Sequence, residues 1–284
     1  MMMATLITLY KQPQLAESLL RAMKHPGFHF YLHIDKKVDI KPYEYLFNFP
    51  NVFLIRKRFD IKWAGYSMVE ALLEGMDQAL NSGYKYDFIN HLSGQCYPLK
   101  PMTQIHDFFE ANKDRNFLAC EMAPSDWWKG ARMRYEDYHF QDSNMPGSYR
   151  FAKLLSTVLP KRKLPFPYTL YGGLLGAYWT ITAEAARYIL EYLKENKKAR
   201  DFFRRTWGPD EFLFNTLIMN SPLKETVVNN NYRYIDWSEG GWHPKILKAE
   251  DFDKLAQTGA FFARKFDLTV DGKILELINS KLLS

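Results

Sequence analysis

The stretch TLITLYKQPQLAESLLRAMKHPGFHFYLHID, residues 5–35, decides the fold class. Its two ends, 5–10 and 28–34, are short apolar runs of the kind that form buried strands. Between them, residues 14–23 carry leucine and methionine at helical spacing, and a His-Pro-Gly turn follows. Parallel strands need a crossover of about this length, usually a helix. The stretch therefore predicts the start of a parallel sheet covered by helices.

The same alternation of strands and helices continues along the chain. Further strands are predicted at 51–55, 86–92, 117–122 and 177–182, and helices at 67–80, 183–196 and 209–219. The tail from residue 250 is predicted to be helical, with an interruption at 261–267. We predict one compact α/β unit over residues 1–284, with a mostly parallel central sheet flanked by helices.

Composition narrows the class of partner without selecting one. The 284 residues include 38 Lys and Arg against 32 Asp and Glu, a formal net charge of +6, and 16% are aromatic. A positive excess suits nucleic acid, a membrane surface or a phosphorylated small molecule. Aromatic rings also suit the C–H faces of sugars. No RRM, KH or helix-turn-helix signature is present, so nucleic acid is not expected as a partner.

Cysteine content and hydropathy favour an intracellular protein. Cys96 and Cys120 are the only cysteines, which excludes a disulfide scaffold and a cysteine zinc ribbon. No run of about 18 apolar residues occurs, and the start MMMATLITLYKQPQ lacks a basic n-region. We expect a cytoplasmic protein. The basic run 161–163 leaves peripheral contact with anionic lipid open, although three charges are a weak signal.

The residues alone identify one acid that could act as a base. Glu211 follows Pro209 in the first turn of a predicted helix. An acid at a helix start also stabilises the helix dipole, so both interpretations stay open, and the adjacent Asp210 is the more structural of the two. The only Asp-x-Asp triplet, 251–253, lies in a helix-start context, and residues 93–96 after the strand at 86–92 offer no carboxylate. The sequence therefore predicts no metal site.

Seven segments in register carry a family resemblance. They are HIDKK (33–37), FINHLSGQCYPLKP (88–101), AYWTIT (177–182), GPDEFLFNTL (208–217), YRYIDW (232–237), GGWHPKIL (240–247) and FFARKFD (261–267). Together they resemble the core-2/I-branching β-1,6-N-acetylglucosaminyltransferase and peptide xylosyltransferase family. The resemblance implies a Rossmann-like GT-A-type fold and an inverting, nucleotide-sugar-dependent transferase without a metal ion or other cofactor. Animal members have a membrane anchor and several disulfides. We expect neither feature in this sequence, so it resembles a bacterial, cytoplasmic relative.

The resemblance also implies a role for each matching residue. It makes Glu211 the catalytic base. It divides the chain into a nucleotide-binding half of about 1–115 and an acceptor and catalytic half of about 116–284. It also assigns residues that bind the diphosphate, the nucleoside and the acceptor. Diphosphate would be bound by Lys245, Lys265 and Arg264; the nucleoside by Tyr10, Asp35 and Trp63; and the acceptor by Glu121, Lys129, Arg132 and Trp237. Tyr10 replaces a common histidine, and Lys245 replaces an arginine, so its grip on phosphate would be weaker.

The expected reaction is transfer of a sugar from a UDP-sugar to a glycan hydroxyl with a β linkage. We expect N-acetylglucosamine as the sugar, with xylose as the alternative. The acceptor would be a glycan or a lipid-linked oligosaccharide at the inner membrane face. Leu175-Gly176 departs from the pattern of the branching enzymes, which leaves the position of the linkage open. A sugar-binding or nucleotide-binding module without turnover is the other class that the composition allows.

Overall fold

The computed structural model describes residues 1–165 and 167–284. The strands are β1 Met3–Leu9, β2 Phe28–Ile34, β3 Val52–Leu54, β4 Phe88–Ser93, β5 Cys96–Pro98, β6 Asn116–Leu118, β7 Thr180–Thr182, β8 Val227–Asn229, β9 Arg233–Ile235 and β10 Phe262–Arg264. The α-helices are α1 Pro13–Ala22, α2 Tyr66–Leu80, α3 Met102–Glu110, α4 Asp126–Glu136, α5 Ser148–Val158, α6 Ala183–Glu195, α7 Lys197–Arg204, α8 Leu213–Met219, α9 Phe252–Gln257 and α10 Lys273–Lys281. Short 3₁₀ helices occupy Lys41–Asn48, Pro209–Glu211, Lys224–Thr226 and Ala249–Asp251.

A seven-stranded sheet forms the centre of the molecule, in the order β3-β2-β1-β4-β7-β6-β8. β7 runs antiparallel to both of its neighbours, and the remaining pairs are parallel. The predicted α/β class with a mostly parallel sheet is confirmed, and so is the GT-A-type expectation of a Rossmann-like sheet covered by helices. Strands from 1–115 and from 116–284 share this one sheet, and the division into two functional halves stays a prediction.

Helices cover both faces of the sheet, which explains why β1 and β2 are apolar without alternation. Every residue of both strands is buried. Along β1, Met3 and Ile7 pack into the core layer under α1 and α3, whereas Ala4 and Leu6 pack into the layer under α2 and α6. The largest buried side chain, Trp179, precedes β7 and belongs to the second layer.

A smaller sheet of three strands, in the order β5-β10-β9, lies beside the end of β4. β10 pairs antiparallel with β5 and parallel with β9. It brings the FFARKFD segment against the loop that follows β4, through the bond from Phe266 N to Gln95 O of 3.0 Å. The predicted interruption of the C-terminal helices is therefore this strand, which separates α9 from α10.

Several predicted boundaries were wrong. The predicted helix 209–219 is a 3₁₀ turn, Pro209–Glu211, followed by α8, with Phe212 between them. The predicted strands 117–122 and 177–182 are shorter in the structure, because only the three residues of β6 pair with β8 and only the three residues of β7 pair with β4. None of the helices in the described residues is long and apolar enough to cross a bilayer.

Candidate active site

The side chain of Glu211 lies in a largely buried position in the turn before α8. Its Oε2 accepts a hydrogen bond of 2.8 Å from Arg134 Nη2, and the exposed fractions of the two side chains are 22% and 15%. Burial raises the pKa of Glu211 to about 7; Arg134 opposes this shift, and the charges of Asp210 and Glu121 add to it. A carboxyl that titrates near neutral pH is suited to accept a proton from a hydroxyl.

Aromatic rings and backbone hold the guanidinium of Arg134 in place. Its Cζ lies 4.5 Å from the ring centroid of Trp207, 5.0 Å from that of Phe212 and 5.4 Å from that of Trp127. Such cation–π contacts strengthen where water is excluded. Gly208 has φ +62°, and a Cβ there would collide with Arg134 Nη2. The glycine of the GPDE segment is therefore required both by its backbone and by the arginine.

Glu121 is a second carboxylate near Glu211, and it follows β6. Its Oε2 accepts from Ser125 Oγ at 2.9 Å, and its Oε1 accepts from Leu174 N at 3.2 Å. The loop at 172–173 separates the two acids, because a Cβ at Gly172 would lie 2.7 Å from the backbone oxygen of Glu211. A Cβ at Gly173 would lie 3.0 Å from Glu121 N, so the double glycine lets this loop pack closely between the segments that carry the two acids.

The structure does not bring Lys129 and Arg132 to Glu211. Lys129 pairs with Asp126 at 2.7 Å and Arg132 pairs with Glu136 at 2.7 Å, and both basic side chains are exposed on the outer face of α4. Arg134, which was not predicted as a site residue, lies on the inner face of the same helix. The sequence contains a signal for this placement. Trp127, Ala131 and Arg134 are spaced i, i+4 and i+7, which puts them on one face of a helix.

Cations gather where the C-terminal segment meets the ends of β1 and β4. Burial, Arg264 and Lys11 together lower the pKa of Lys265, with Asp267 acting in the opposite direction. The Arg264 guanidinium lies over the ring of Tyr178 at 4.9 Å, and its Nε is buried without a hydrogen-bond partner in the described structure. Lys11 pairs with Asp267 at 2.6 Å. Two cations here are thus available to an anionic ligand, and Lys11 was not predicted.

Lys245 has a carboxylate partner of its own. Its Nζ lies 2.7 Å from Asp251 Oδ1, and this bond raises the pKa of the lysine. Asp251 is buried and also accepts the backbone N–H of Lys248, at the start of the 3₁₀ turn before α9. The helix-start interpretation of 251–253 is confirmed. The segment of Lys245 runs beside that of Lys265, since Leu247 N donates to Lys265 O at 2.9 Å.

Tyr10 and Asp35 directly follow β1 and β2, whose last residues Leu9 and Ile34 are paired. The Tyr10 hydroxyl donates to Gln95 Oε1 at 3.0 Å, which ties it to the loop after β4. Asp35 is buried and accepts the backbone N–H of Lys37 at 2.9 Å, so it also acts as a turn residue. Both side chains lie at the carboxyl edge of the sheet, where ligands bind in open α/β folds.

Trp63 belongs to a cluster of tryptophans next to Arg134. Its ring packs edge-on against Trp207 at 4.9 Å and Trp242 at 5.9 Å, and Trp63 and Trp242 are 61% and 80% exposed. Trp63 therefore lies on the side of the cleft that carries Glu211. Trp207 and Trp242 were not predicted as site residues. Trp237 is half-buried, and its Nε1 has no partner among the described residues.

No cluster of three or more His, Cys, Asp or Glu suited to a metal ion occurs in the described parts of the chain. Two acids beside the cation group already have basic partners, because Asp267 is bound to Lys11 and Asp251 is bound to Lys245. The chemistry that these groups can support is proton abstraction by a carboxylate beside a group of fixed cations.

Comparisons with known proteins give one family model and several curated relatives. The family model of the Core-2/I-branching enzyme matches residues 3–256. Xylosyltransferase 2 of Rattus norvegicus is 28% identical over 93% of this chain and 32% of its own length. Xylosyltransferase oxt of Drosophila pseudoobscura pseudoobscura is 27% identical over 90% of this chain and 30% of its own length.

The chain thus spans about a third of the length of the curated relatives it matches. Among solved structures, the apo form of mouse xyloside xylosyltransferase 1 aligns with a TM-score of 0.44 and 12% identity, covering 93% of this chain and 97% of that one.

Proposed function

The chain belongs to the Core-2/I-branching enzyme family, and we propose that it is an inverting glycosyltransferase that uses a UDP-sugar. The observation that carries this proposal is the pair of Glu211 and Arg134, a carboxyl with a pKa of about 7 held 2.8 Å from a guanidinium that is itself fixed by aromatic rings. A general base works best when its pKa lies close to the working pH. The pair therefore suits proton abstraction from a sugar hydroxyl.

In the proposed reaction, the Glu211 carboxylate takes the proton of the acceptor hydroxyl. The freed oxygen attacks the anomeric carbon of the donor from the face opposite to the diphosphate. The new C–O bond forms as the bond from the anomeric carbon to the β-phosphate oxygen breaks, and UDP leaves with that electron pair. One displacement of this kind inverts the configuration at the anomeric carbon.

Fixed cations would stabilise the departing UDP without a divalent metal. Lys265 and Arg264 are the first candidates. Burial and then the charges of Arg264 and Lys11 lower the pKa of Lys265, so neighbouring cations leave an excess of positive charge beside it, and the buried Nε of Arg264 has no partner among the described residues. An anion placed between them would relieve that excess. Lys245 could bind the diphosphate only if its Nζ gave up its bond to Asp251 or kept that bond and contacted the diphosphate as well. We therefore propose a secondary role for Lys245.

For the nucleoside we propose the edge formed by Tyr10 and Asp35. For the acceptor we propose the tryptophan cluster Trp63, Trp207 and Trp242 with Glu121. Exposed indole faces suit sugar rings. Trp207 of this cluster also contacts Arg134, the arginine that pairs with the proposed base. The exposed pairing of Lys129 and Arg132 within α4 makes them poorer candidates for acceptor binding, and Trp237 stays a prediction.

We propose xylose as the transferred sugar, because the relatives named above are xylosyltransferases. N-acetylglucosamine is the competing donor sugar. A thermal-shift panel of UDP-xylose, UDP-N-acetylglucosamine and UDP-glucose separates them, since a ligand that binds only the native state raises its apparent stability.

The base assignment is tested with Glu211→Gln. We expect UDP affinity within about threefold of the native chain and a loss of sugar transfer of about 10²- to 10⁴-fold, the usual contribution of a general base. Glu17→Gln is the matched control, because Glu17 forms a similar pair with Arg21 at 2.7 Å on α1. Transfer by the Glu211 variant at near the native rate would contradict the assignment. Absence of UDP release from the native chain with every donor and acceptor tried would favour a binding module.

A further inference from the structure

The strongest unassigned feature of the molecule is an exposed apolar surface on α5 and its flanks, Met145–Lys163, called the α5 surface below. Its exposed large apolar side chains are Met145, Tyr149, Phe151, Leu154, Val158 and Leu159. Tyr149 is 78% exposed and Val158 is 71% exposed. Soluble proteins rarely leave so many large apolar groups together on one surface without a partner.

The helix separates its exposed groups into an apolar stripe and a basic stripe. Phe151, Leu154 and Val158 are spaced i, i+3 and i+7, so they lie along one line of the outer face. Arg150 and Lys153 are exposed on the adjoining strip. The opposite face packs on the protein through the buried Ala152, so the outer face is fixed toward solvent.

The charge on this surface has a single sign. Residues 143–167 contain five Lys and Arg and no Asp or Glu. Two of these five cations are engaged, because Lys161 pairs with Asp137, and Arg162 turns inward and donates to the backbone oxygen of Asp137 at 3.0 Å. Arg150, Lys153 and Lys163 remain exposed.

An open basic cleft adjoins the C-terminal end of α5. It has a volume of about 640 Å³. Its lining includes five basic residues, one acid and four apolar or aromatic residues, and the basic ones are Lys161, Arg162, Lys163, Lys198 and Arg205. The cleft contains enough cations to bind a phosphate group.

We propose that the α5 surface docks on a membrane that contains anionic phospholipid. The apolar stripe would enter the boundary between headgroups and acyl chains, and Arg150, Lys153 and Lys163 would contact the phosphates. Helices with a basic strip beside an aromatic and aliphatic strip bind membranes in this way.

Charge argues against a second copy of the chain as the occupant. In a symmetric pair the same patch meets itself, so the cations would face one another across the contact. A polyanionic surface has the opposite sign. The proposal does not depend on the transferase activity.

The α5 surface is joined to the helix that carries Arg134, the partner of Glu211. Arg162 N donates to Glu136 O at 2.8 Å, which joins the basic run to the end of α4, the helix that carries Arg134. A membrane bound at α5 would therefore lie close to the proposed acceptor side of the cleft.

The test is co-sedimentation of the full chain with vesicles of phosphatidylcholine alone and of phosphatidylcholine mixed with phosphatidylglycerol at roughly three to one. We expect binding to the mixed vesicles only, weakening as salt rises because the charges are exposed. Arg150→Gln with Lys153→Gln should weaken binding about 25-fold, since each basic residue near an anionic surface contributes about fivefold. Leu154→Ser with Val158→Ser should weaken it about tenfold or more.

The matched control is Lys24→Gln with Lys85→Gln, which removes two exposed lysines that precede β2 and β4. It should bind like the native chain. All variants change exposed side chains, and unchanged melting temperatures would show that they fold.

Three results would overturn the proposal: no binding to the mixed vesicles, equal binding by the α5 variants and the native chain, or equal loss in the control. Light scattering on the same proteins adds a fourth. A native dimer that Leu154→Ser with Val158→Ser dissociates, together with absent vesicle binding, would assign the surface to self-association.

Discussion

Replacing Arg134 with methionine should move the pH dependence of transfer to higher pH. The side chain keeps much of its apolar volume and loses the charge that lies 2.8 Å from the Glu211 carboxylate. Arg134 lowers the pKa of Glu211 against the effect of burial, and the result is a pKa of about 7. Without that charge, burial and the neighbouring acids act unopposed, so the carboxyl must lose its proton at higher pH.

The size of the effect follows from the position of the pair. An opposite charge at this distance displaces a carboxyl pKa by about 1 to 3, and we take about 1 to 2 here because both side chains keep some exposure to water. At pH 7 the native carboxyl is about half ionised, because its pKa is about 7. A midpoint raised by one pH unit leaves roughly a tenth ionised, and two units leave roughly a hundredth. Transfer at pH 7 should therefore fall about fivefold to fiftyfold, and most of it should return above about pH 9.

The assay is release of UDP under kcat/KM conditions from about pH 5 to about pH 10, where the acid limb reports the base of the free enzyme. Arg134→Lys keeps the charge and should keep the midpoint near that of the native chain. Arg21→Met removes the arginine of the Glu17 pair on α1 and should leave the profile unchanged. If Arg134→Met loses the same factor at every pH, with its midpoint unmoved, then Arg134 does not set the pKa of Glu211 and the reasoning fails.

Three further predictions address stability, metal dependence and the acceptor. Because the pKa of Glu211 is raised to about 7, folding takes up a proton, and the free energy of unfolding falls as the pH rises from about 4.5 through 7. Thermal melting should therefore show Glu211→Gln to be more stable than the native chain at pH 8, by at most about 3 kcal/mol. Near pH 4 the two proteins should be equally stable. EDTA should leave UDP release intact, and abolition by EDTA with rescue by manganese would contradict the proposed cation site. Trp242→Ala should raise the acceptor KM about twofold to tenfold at unchanged kcat, and an unchanged KM would remove Trp242 from the acceptor site.

The sequence was sufficient for the parts of the fold that depend on local pattern. The apolar runs of β1 and β2 and the periodic helix α1 were predicted to within a few residues, because burial on both faces of a parallel sheet leaves a continuous apolar signal. The short strands β6 and β7 were overextended, because their ends are set by the residues with which they pair across the sheet. Such partners lie far away in the chain and leave no local trace.

Only the candidate site residues that lie in recognisable sequence motifs could be predicted. Glu211, Asp35 and Lys265 came from segments that can be recognised in the sequence, whereas Arg134 required the correct face of α4 to be chosen. Lys129 and Arg132 were assigned to the acceptor from the family resemblance, although their acidic partners three or four residues away are the usual mark of a solvent-facing strip. The Asp251 partner of Lys245 was interpreted as a helix start, which is correct, but its effect on the lysine could not be predicted without the tertiary contact.

The turn at 208–211 shows why one short motif can organise the proposed site. Burial raises the pKa of Asp210, and the charges of both Arg134 and Arg264 oppose that shift, so Asp210 lies within electrostatic reach of the base side and of the cation side of the cleft. Gly208 leaves room for the Arg134 guanidinium because it has no Cβ, and the 3₁₀ turn that follows places Glu211 within 2.8 Å of that guanidinium. The segment thus links the group that would accept a proton to the cations that would receive the leaving diphosphate. A substitution that shifts this turn should therefore impair both steps together, whereas a change at Lys265 should impair only the departure of the diphosphate.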